Sequence, residues 1–313
     1  MAETTCPVCQ SSRYKLLFSD INKREALNCS GTYVECRECS LIYLKDIPSW
    51  NEIVKLYSHL DQQQKANANQ LDGTEERKQT ETSSPKWQKI LRKIRFRPHS
   101  WPTKPVSQPS KRLLDLGCSS GAKLLEFAHR GYEIWGVDLS ADAIAKGQKL
   151  LPQGHFFVGE LKEVQLPSAH FDYIRIDNVL EHVPNPKEVV KECYRLLAKG
   201  GQLMLYVPHG RSLSMRLMKG NSISSWIPFH LQLFTRKSLT KLLKEAGFSC
   251  INIYGYYPSS WLPLSIMQLK NKKQLTLKYD YPLLLKIICY PIGWLAAILG
   301  YGEELVAIGN KES

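Results

Sequence analysis

Leu113-Leu114-Asp115-Leu116-Gly117-Cys118-Ser119-Ser120-Gly121 is the stretch on which the fold turns. Its first four residues read as a short apolar strand carrying one acid. The next five are small and lead into a helix predicted over residues 121–129. Small residues let the backbone approach a ligand closely at the N-terminus of the following helix. A second strand is predicted over 133–137, and Asp138 ends it, 21 residues after Gly117. A carboxylate there can accept hydrogen bonds from both hydroxyls of a ribose. A dinucleotide site would need G-x-G-x-x-G, but Ser119 and Ala122 stand at the second and third glycine positions. Asp115 would also set negative charge against a pyrophosphate, whereas it suits a cationic ligand. Together these features describe a site for S-adenosylmethionine.

The pattern continues on the C-terminal side as alternating strands and helices. A helix over 140–150 has Ser140 as its N-cap. Strands over 155–158 and 171–176 follow, then a helix over 186–197 with proline in its first turn. Gly200-Gly201 are read as ending that helix, before a strand over 202–207. A helix over 236–246, stopped by Gly247, leads to a strand over 250–256, and residues 304–308 form a last, antiparallel strand. This rhythm predicts an α/β fold with a mostly parallel sheet and helices on both faces.

From Leu113 to Phe248 the chain resembles the Rossmann-like S-adenosylmethionine-dependent methyltransferases. The resemblance rests on LLDLGCSSG, GVDLS, FDYI, VLEHVPNP and RLLAKGGQLMLYVP taken together. It implies a seven-stranded sheet and a site in which Asp115, Gly117, Cys118, Ser119 and Gly121 shape the methionine pocket. It implies that Asp138 holds the ribose, that Leu139 lies beside the adenine, and that Glu160 meets the adenine amino group. Asp177 and Asn178 match the loop after the fourth strand. Ser119 departs from the family's commoner glycine, and Lys199 from its commoner proline.

Ahead of this domain stand Cys6-Pro-Val-Cys9 and Cys36-Arg-Glu-Cys39, 26 residues apart, with short strand-like pieces between and after them. Two CxxC turns joined by β-hairpins are the layout of a zinc ribbon. Four thiolates suit a structural, tetrahedral zinc at roughly 2.3 Å and leave no open position for catalysis. Cys29 lies in the gap and complicates the ligand set. With this ribbon, and with VPHGRSLSMRL and PFHLQLFT, the chain is similar to bacterial methyltransferases of sugar, polysaccharide and natural-product pathways. That similarity implies His230 as general base. His182, in VLEHVP, and more weakly His209, in VPHG, are further candidates. Histidine titrates near working pH, which suits proton removal from a methyl acceptor. Cys118 is read as a packing residue, not a nucleophile.

The domain boundaries read from the sequence are 1–61 for the ribbon and a following helix, 62–109 for a linker, 110–257 with 303–313 for the methyltransferase domain, and 258–302 for a helical apolar insertion. Within the linker, residues 86–97 carry six cations and no acid on a helical apolar repeat. Residues 287–302 carry no charge at all. A spanning helix needs about 20 apolar residues, so residues 283–301 are read as an interfacial or buried hairpin. With 42 Lys and Arg against 29 Asp and Glu, the net charge of +13 favours an anionic partner. Residues 86–97 and 283–301 are the candidate contacts with an anionic membrane surface. No apolar run follows a basic start at the N-terminus, and the nine cysteines are neither dense nor evenly paired, so a reducing cytoplasmic compartment is expected. The favoured acceptor is a small molecule or glycan, including a nucleotide- or lipid-linked sugar. An RNA-modifying methyltransferase is the alternative, without an aromatic-interleaved single-strand platform to support it. A non-catalytic scaffold is a third reading, opposed by retention of Asp115, Gly117, Gly121 and Asp138.

Overall fold

The computed structural model describes residues 4–21, 30–48, 52, 53, 55, 111–270 and 282–312. The whole linker 62–109, with its basic stretch 86–97, and Cys29 lie outside the described residues. The chain divides into two compact units, 1–47 with 100–313, and 48–99. The first unit contains both β-sheets.

Seven strands form its main sheet: β4 (Arg112–Leu116), β5 (Glu133–Asp138), β6 (His155–Val158), β7 (Phe171–Asp177), β8 (Leu197–Pro208), β10 (Ser249–Tyr256) and β11 (Glu304–Asn310). Their order is β10-β11-β8-β7-β4-β5-β6. β6, β5, β4, β7 and β8 run parallel, while β11 lies antiparallel between β8 and β10. Strands covered on both faces read as largely apolar runs, and Leu113, Leu114, Ile174, Ile176, Leu203 and Leu205 are all fully buried. The chain turns back between β4 and β7, and ligands in such sheets bind at the carboxyl ends of the strands beside that reversal.

The helices flank this sheet as the sequence predicts, with three differences, one being that residues 283–298, read as part of a hairpin, form a single continuous helix with Pro291 inside it. After β4 the chain makes a 3-10 turn (Ala122–Leu124) and only a four-residue helix, α1 (Leu125–Ala128). α2 (Ala141–Leu150) begins at Ser140, whose hydroxyl accepts the Ala143 N–H at 3.2 Å. α3 (Pro186–Leu196) runs straight into β8, so Gly200-Gly201 do not end it. Leu197 is fully buried and pairs with Phe171. Lys311 Nζ satisfies the Tyr194 and Leu197 carbonyls at 2.8 Å each. Burial and this lysine therefore begin the strand before the glycine pair. α4 (Leu213–Met218), α5 (Arg236–Glu245), α6 (Trp261–Lys270) and α7 (Leu283–Ile298) complete the set.

A second, antiparallel sheet joins β1 (Tyr14–Ile21), β2 (Ser30–Cys36), β3 (Ile42–Leu44) and β9 (Gln232–Leu233) in that order. β9 comes from the segment between α4 and α5, so the cysteine-bearing hairpin is completed by a strand from almost 200 residues downstream. Ile42 pairs with Leu233 and Tyr43 with Gln232. Arg211 forms an ion pair with Glu35 on β2, a second tie between the same regions.

Candidate functional site

The turn after β4 is built by conformations that few residues tolerate. Gly117 and Gly121 adopt φ of 73° and 69°. A Cβ on Gly117 would stand 2.2 Å from the Val179 side chain, and one on Gly121 would lie 3.3 Å from the Phe156 ring. The backbone of this turn can thus pass close to the β7 loop. Ser119 also takes a positive φ, 50°, a position glycine would occupy at less cost. Cys118 is buried, and burial pushes its thiol up to about 12, which fits packing and not nucleophilic chemistry.

Asp138 closes the turn from the other side. Its Oδ2 accepts the Ser119 N–H at 2.8 Å and its Oδ1 accepts the Ser140 N–H at 2.9 Å. Each oxygen keeps a lone pair, so the carboxylate is fixed in place and can still receive two ribose hydroxyls. Leu139, 48% exposed, offers an apolar surface next to it. Glu160 stands after β6, its carboxylate 3.0 Å from Lys162. The cradle and the anchored acid fit the adenosyl group of S-adenosylmethionine.

Asp115 has a partner that the sequence reading does not include. Both carboxylate oxygens accept from Arg175 Nη1 at 3.0 Å, so the charge read as open to a cationic ligand is already met within the sheet. The reason is register: Asp115 on β4 lies directly beside Arg175 on β7, a pairing that linear spacing does not reveal. Burial pushes Asp115 up to about 6 against the opposing pull of Arg175. Arg175 also bonds Asp177, whose Oδ2 takes Lys123 Nζ at 2.6 Å and whose Oδ1 takes Asn178 Nδ2 at 2.9 Å. Burial would raise Asp177, but Arg175 and Lys123 more than offset it and hold the acid below its ordinary range. Asn178 continues the chain of bonds to Glu304 at 2.8 Å. The expected cofactor loop is thus a charge network with two cations among its acids.

The structure brings His182 and His230 together, with ring centroids 4.8 Å apart. His182 Nδ1 lies 2.8 Å from the Phe229 carbonyl and His230 Nδ1 lies 2.7 Å from the Ser224 carbonyl. A carbonyl only accepts, so each Nδ1 carries the proton and, in the neutral ring, each Nε2 bears a lone pair. Both Nε2 atoms approach Glu181 Oε1, at 3.8 and 4.0 Å. Glu181 is fully buried, and neither oxygen has a hydrogen-bond partner among the described residues. Burial raises its carboxyl well above the usual range and lowers His182 to about 4. Glu181, His182 and His230 offer donor atoms all within 4.8 Å of one another, a set that could hold a divalent ion. His209 lies elsewhere: its Nδ1 meets the Gly302 carbonyl at 3.0 Å, and burial lowers it to about 4.

Sequence reasoning did not single out the residues that hold this pair. Gln232 Nε2 donates to the Leu180 and Val183 carbonyls at 3.0 and 2.6 Å. The Leu231 N–H donates to the Glu181 carbonyl at 2.8 Å. From the cysteine-bearing sheet, Tyr33 Oη donates to the His230 carbonyl at 2.7 Å, and the Leu44 N–H to the Leu231 carbonyl at 2.9 Å. The only available signal was local: Glu181 adjoins His182, and Gln232 lies in the PFHLQLFT stretch.

The four N-terminal cysteines converge. Cys6 and Cys39 sulfurs lie 3.5 Å apart and those of Cys9 and Cys36 lie 3.4 Å apart, with all four Sγ atoms within 4.8 Å. These separations exclude disulfides, whose sulfurs are about 2.05 Å apart. They approach the spacing of four thiolates around one zinc at roughly 2.3 Å. Hydrogen bonding from Cys6 lowers Cys39 below the ordinary thiol range. The donor set fits a structural zinc.

A family model described as a methyltransferase domain matches residues 86–253, more than half of the chain. The chain belongs to that methyltransferase-domain family. It is 38% identical over 112 residues to a ubiquinone biosynthesis O-methyltransferase of Dechloromonas aromatica, covering 34% of this chain and 47% of the relative. It is 27% identical over 150 residues to a probable S-adenosylmethionine-dependent methyltransferase of Mycolicibacterium smegmatis, covering 48% and 56%. The chain thus spans about half the length of these curated relatives. A solved S-adenosylmethionine-dependent methyltransferase from Archaeoglobus fulgidus aligns with a TM-score of 0.47 and 21% identity over 72% of this chain and 92% of that one.

Proposed function

We propose that the protein transfers a methyl group from S-adenosylmethionine to a small-molecule acceptor. The observation that carries this reading is the cradle: Gly117 and Gly121 at positive φ beside an Asp138 carboxylate held by two backbone N–H groups. When bound, the cofactor supplies an electrophilic methyl group on a sulfonium. Gly117, Ser119 and Gly121 shape its pocket, Asp138 receives the ribose hydroxyls, and Leu139 and Glu160 meet the adenine. His230 Nε2 takes the acceptor's proton, its ring fixed by Ser224 and its backbone by Tyr33. His182 is the second imidazole at the same place, and Glu181 is the polar group behind both. The acceptor is a small molecule or glycan, a nucleotide- or lipid-linked sugar included, a reading supported by the sequence similarity of the ribbon and of PFHLQLFT. Cys6, Cys9, Cys36 and Cys39 hold a zinc that fixes the hairpin completed by β9.

Calorimetry with S-adenosylmethionine tests the cofactor half. Asp138→Ala should weaken binding at least about tenfold, because a hydrogen bond to a charged group contributes roughly 1.5–3 kcal/mol. Equal affinity in wild type and variant removes Asp138 from the site. His230→Asn tests the catalytic half: kcat should fall by about 10²–10⁴ while cofactor affinity holds.

A further inference from the structure

The face of α7 turned away from the sheet is the reverse of an ordinary surface helix. Its buried positions are the small residues Cys289, Gly293 and Ala296. Its large aliphatics point outward: Leu284, Ile287, Ile288, Leu295, Ile298 and Leu299 are each half or more exposed. The packing fixes this orientation. A Cβ on Gly293 would stand 2.2 Å from the Tyr257 ring, and one on Gly255 of β10 would stand 2.7 Å from the Ala297 carbonyl. At these two positions no larger side chain fits, and Leu285 and Tyr290 pack beside them, so this close approach holds the helix with its apolar stripe outward. Monomeric proteins rarely expose apolar patches of such extent without a use for them.

The described segments that form this face are poor in charge. Residues 282–302 contain Lys286 and no acid, and residues 258–269 contain no charge. On α4, which packs against α6, Leu217 is 71% exposed and the Arg216 guanidinium lies 4.6 Å from the Tyr301 ring centroid at the end of α7. Lys219 follows on the turn that also packs on α6. An apolar stripe bordered by cations and by Trp294 and Tyr301 matches the interface of an anionic bilayer, where aromatic rings sit at headgroup level. At 1.5 Å per residue the 16 residues of α7 extend roughly 24 Å, short of the roughly 30 Å hydrocarbon core. Among the described residues no helix is long and apolar enough to cross a membrane.

We propose that α7 docks the protein in the plane of an anionic phospholipid surface, through its outward aliphatic face, with Arg216, Lys219 and Lys286 meeting the headgroups. This does not rest on the methyl-transfer reading: vesicle binding and cofactor binding are separate measurements, and either can fail alone.

The test uses the full chain and sedimentation with vesicles of phosphatidylcholine, with and without phosphatidylglycerol. Wild type should pellet with the anionic vesicles, less so at high salt. Ile287→Ser/Leu295→Ser/Ile298→Ser should lower the partition coefficient by at least about tenfold, with an unchanged thermal melt and unchanged cofactor affinity. Arg216→Glu/Lys219→Glu should weaken binding to anionic vesicles and leave binding to neutral ones as it was. Equal partitioning of wild type and the triple variant overturns the proposal. So does a wild-type dimer in solution that the triple variant dissolves while neither binds vesicles, since the face is then a contact between two copies.

Discussion

At the scale of single residues, Glu181 is the least comfortable group among the described residues. A fully buried carboxyl without a hydrogen-bond partner opposes folding, and sites that work are where such costs are retained. The direction of its shift fixes the pH dependence. Its folded-state pKa lies above the unfolded value, so its cost to stability is smallest below the unfolded value and grows as pH rises toward the folded one. Gln in its place does not titrate. Glu181→Gln should therefore melt higher than wild type, by a few °C at about 1 kcal/mol, with the gap widening from pH 5 to pH 8. The same variant should lose activity. A melting difference that does not vary with pH, or that runs the other way, would show that the carboxyl is satisfied in the fold.

Much of this scale was legible in the sequence, because glycine and an acid at a strand end act through their own backbone. Gly117, Gly121 and Asp138 sit where the LLDLGCSSG and GVDLS stretches put them. The partner of Asp115 is not legible in the sequence, because Arg175 is a neighbour set by strand register 60 residues away. The orphaned state of Glu181 was invisible for a related reason: it depends on what the 229–233 segment fails to supply.

At the scale of elements, β9 is the unexpected piece. Two residues, Gln232 and Leu233, are too short for any periodic signal, and their strand exists because β3 offers an edge. The consequence is mechanical. The cysteine-bearing sheet holds the His230 backbone through Tyr33 and the Leu231 backbone through Leu44. Tyr33→Phe removes one buried hydrogen bond, worth about 1 kcal/mol, and keeps the ring. It should lower kcat several-fold and leave cofactor affinity unchanged, since Asp138 lies on another sheet. Removing the proposed zinc with a chelator should do the same more strongly, because four unligated thiols would no longer pin the hairpin. A parallel loss of cofactor affinity in either experiment would mean that the two sheets are coupled more widely than through the 230–233 segment.

At the scale of the whole molecule, buried histidines and buried carboxyls set opposite limbs of the pH–stability curve. His182 and His209 both fall to about 4 in the fold through burial. The unfolded chain takes up these protons near pH 6.5, so stability is lost as pH falls from there toward 4. Within that window each histidine steepens the loss by up to about 1.4 kcal/mol per pH unit. Glu181 and Glu303, both raised by burial, act in the other direction as pH rises. The two histidines can be separated because only one belongs to the candidate site. His209→Asn keeps a donor for the Gly302 carbonyl and removes the titration. Its melting temperature should fall less than that of wild type between pH 6.5 and 4.5, while kcat at pH 7.5 stays within about twofold, because His182 and His230 are untouched. An acid limb as steep as that of wild type would assign the loss to other groups, and a large drop in kcat would move His209 from the fold into the chemistry.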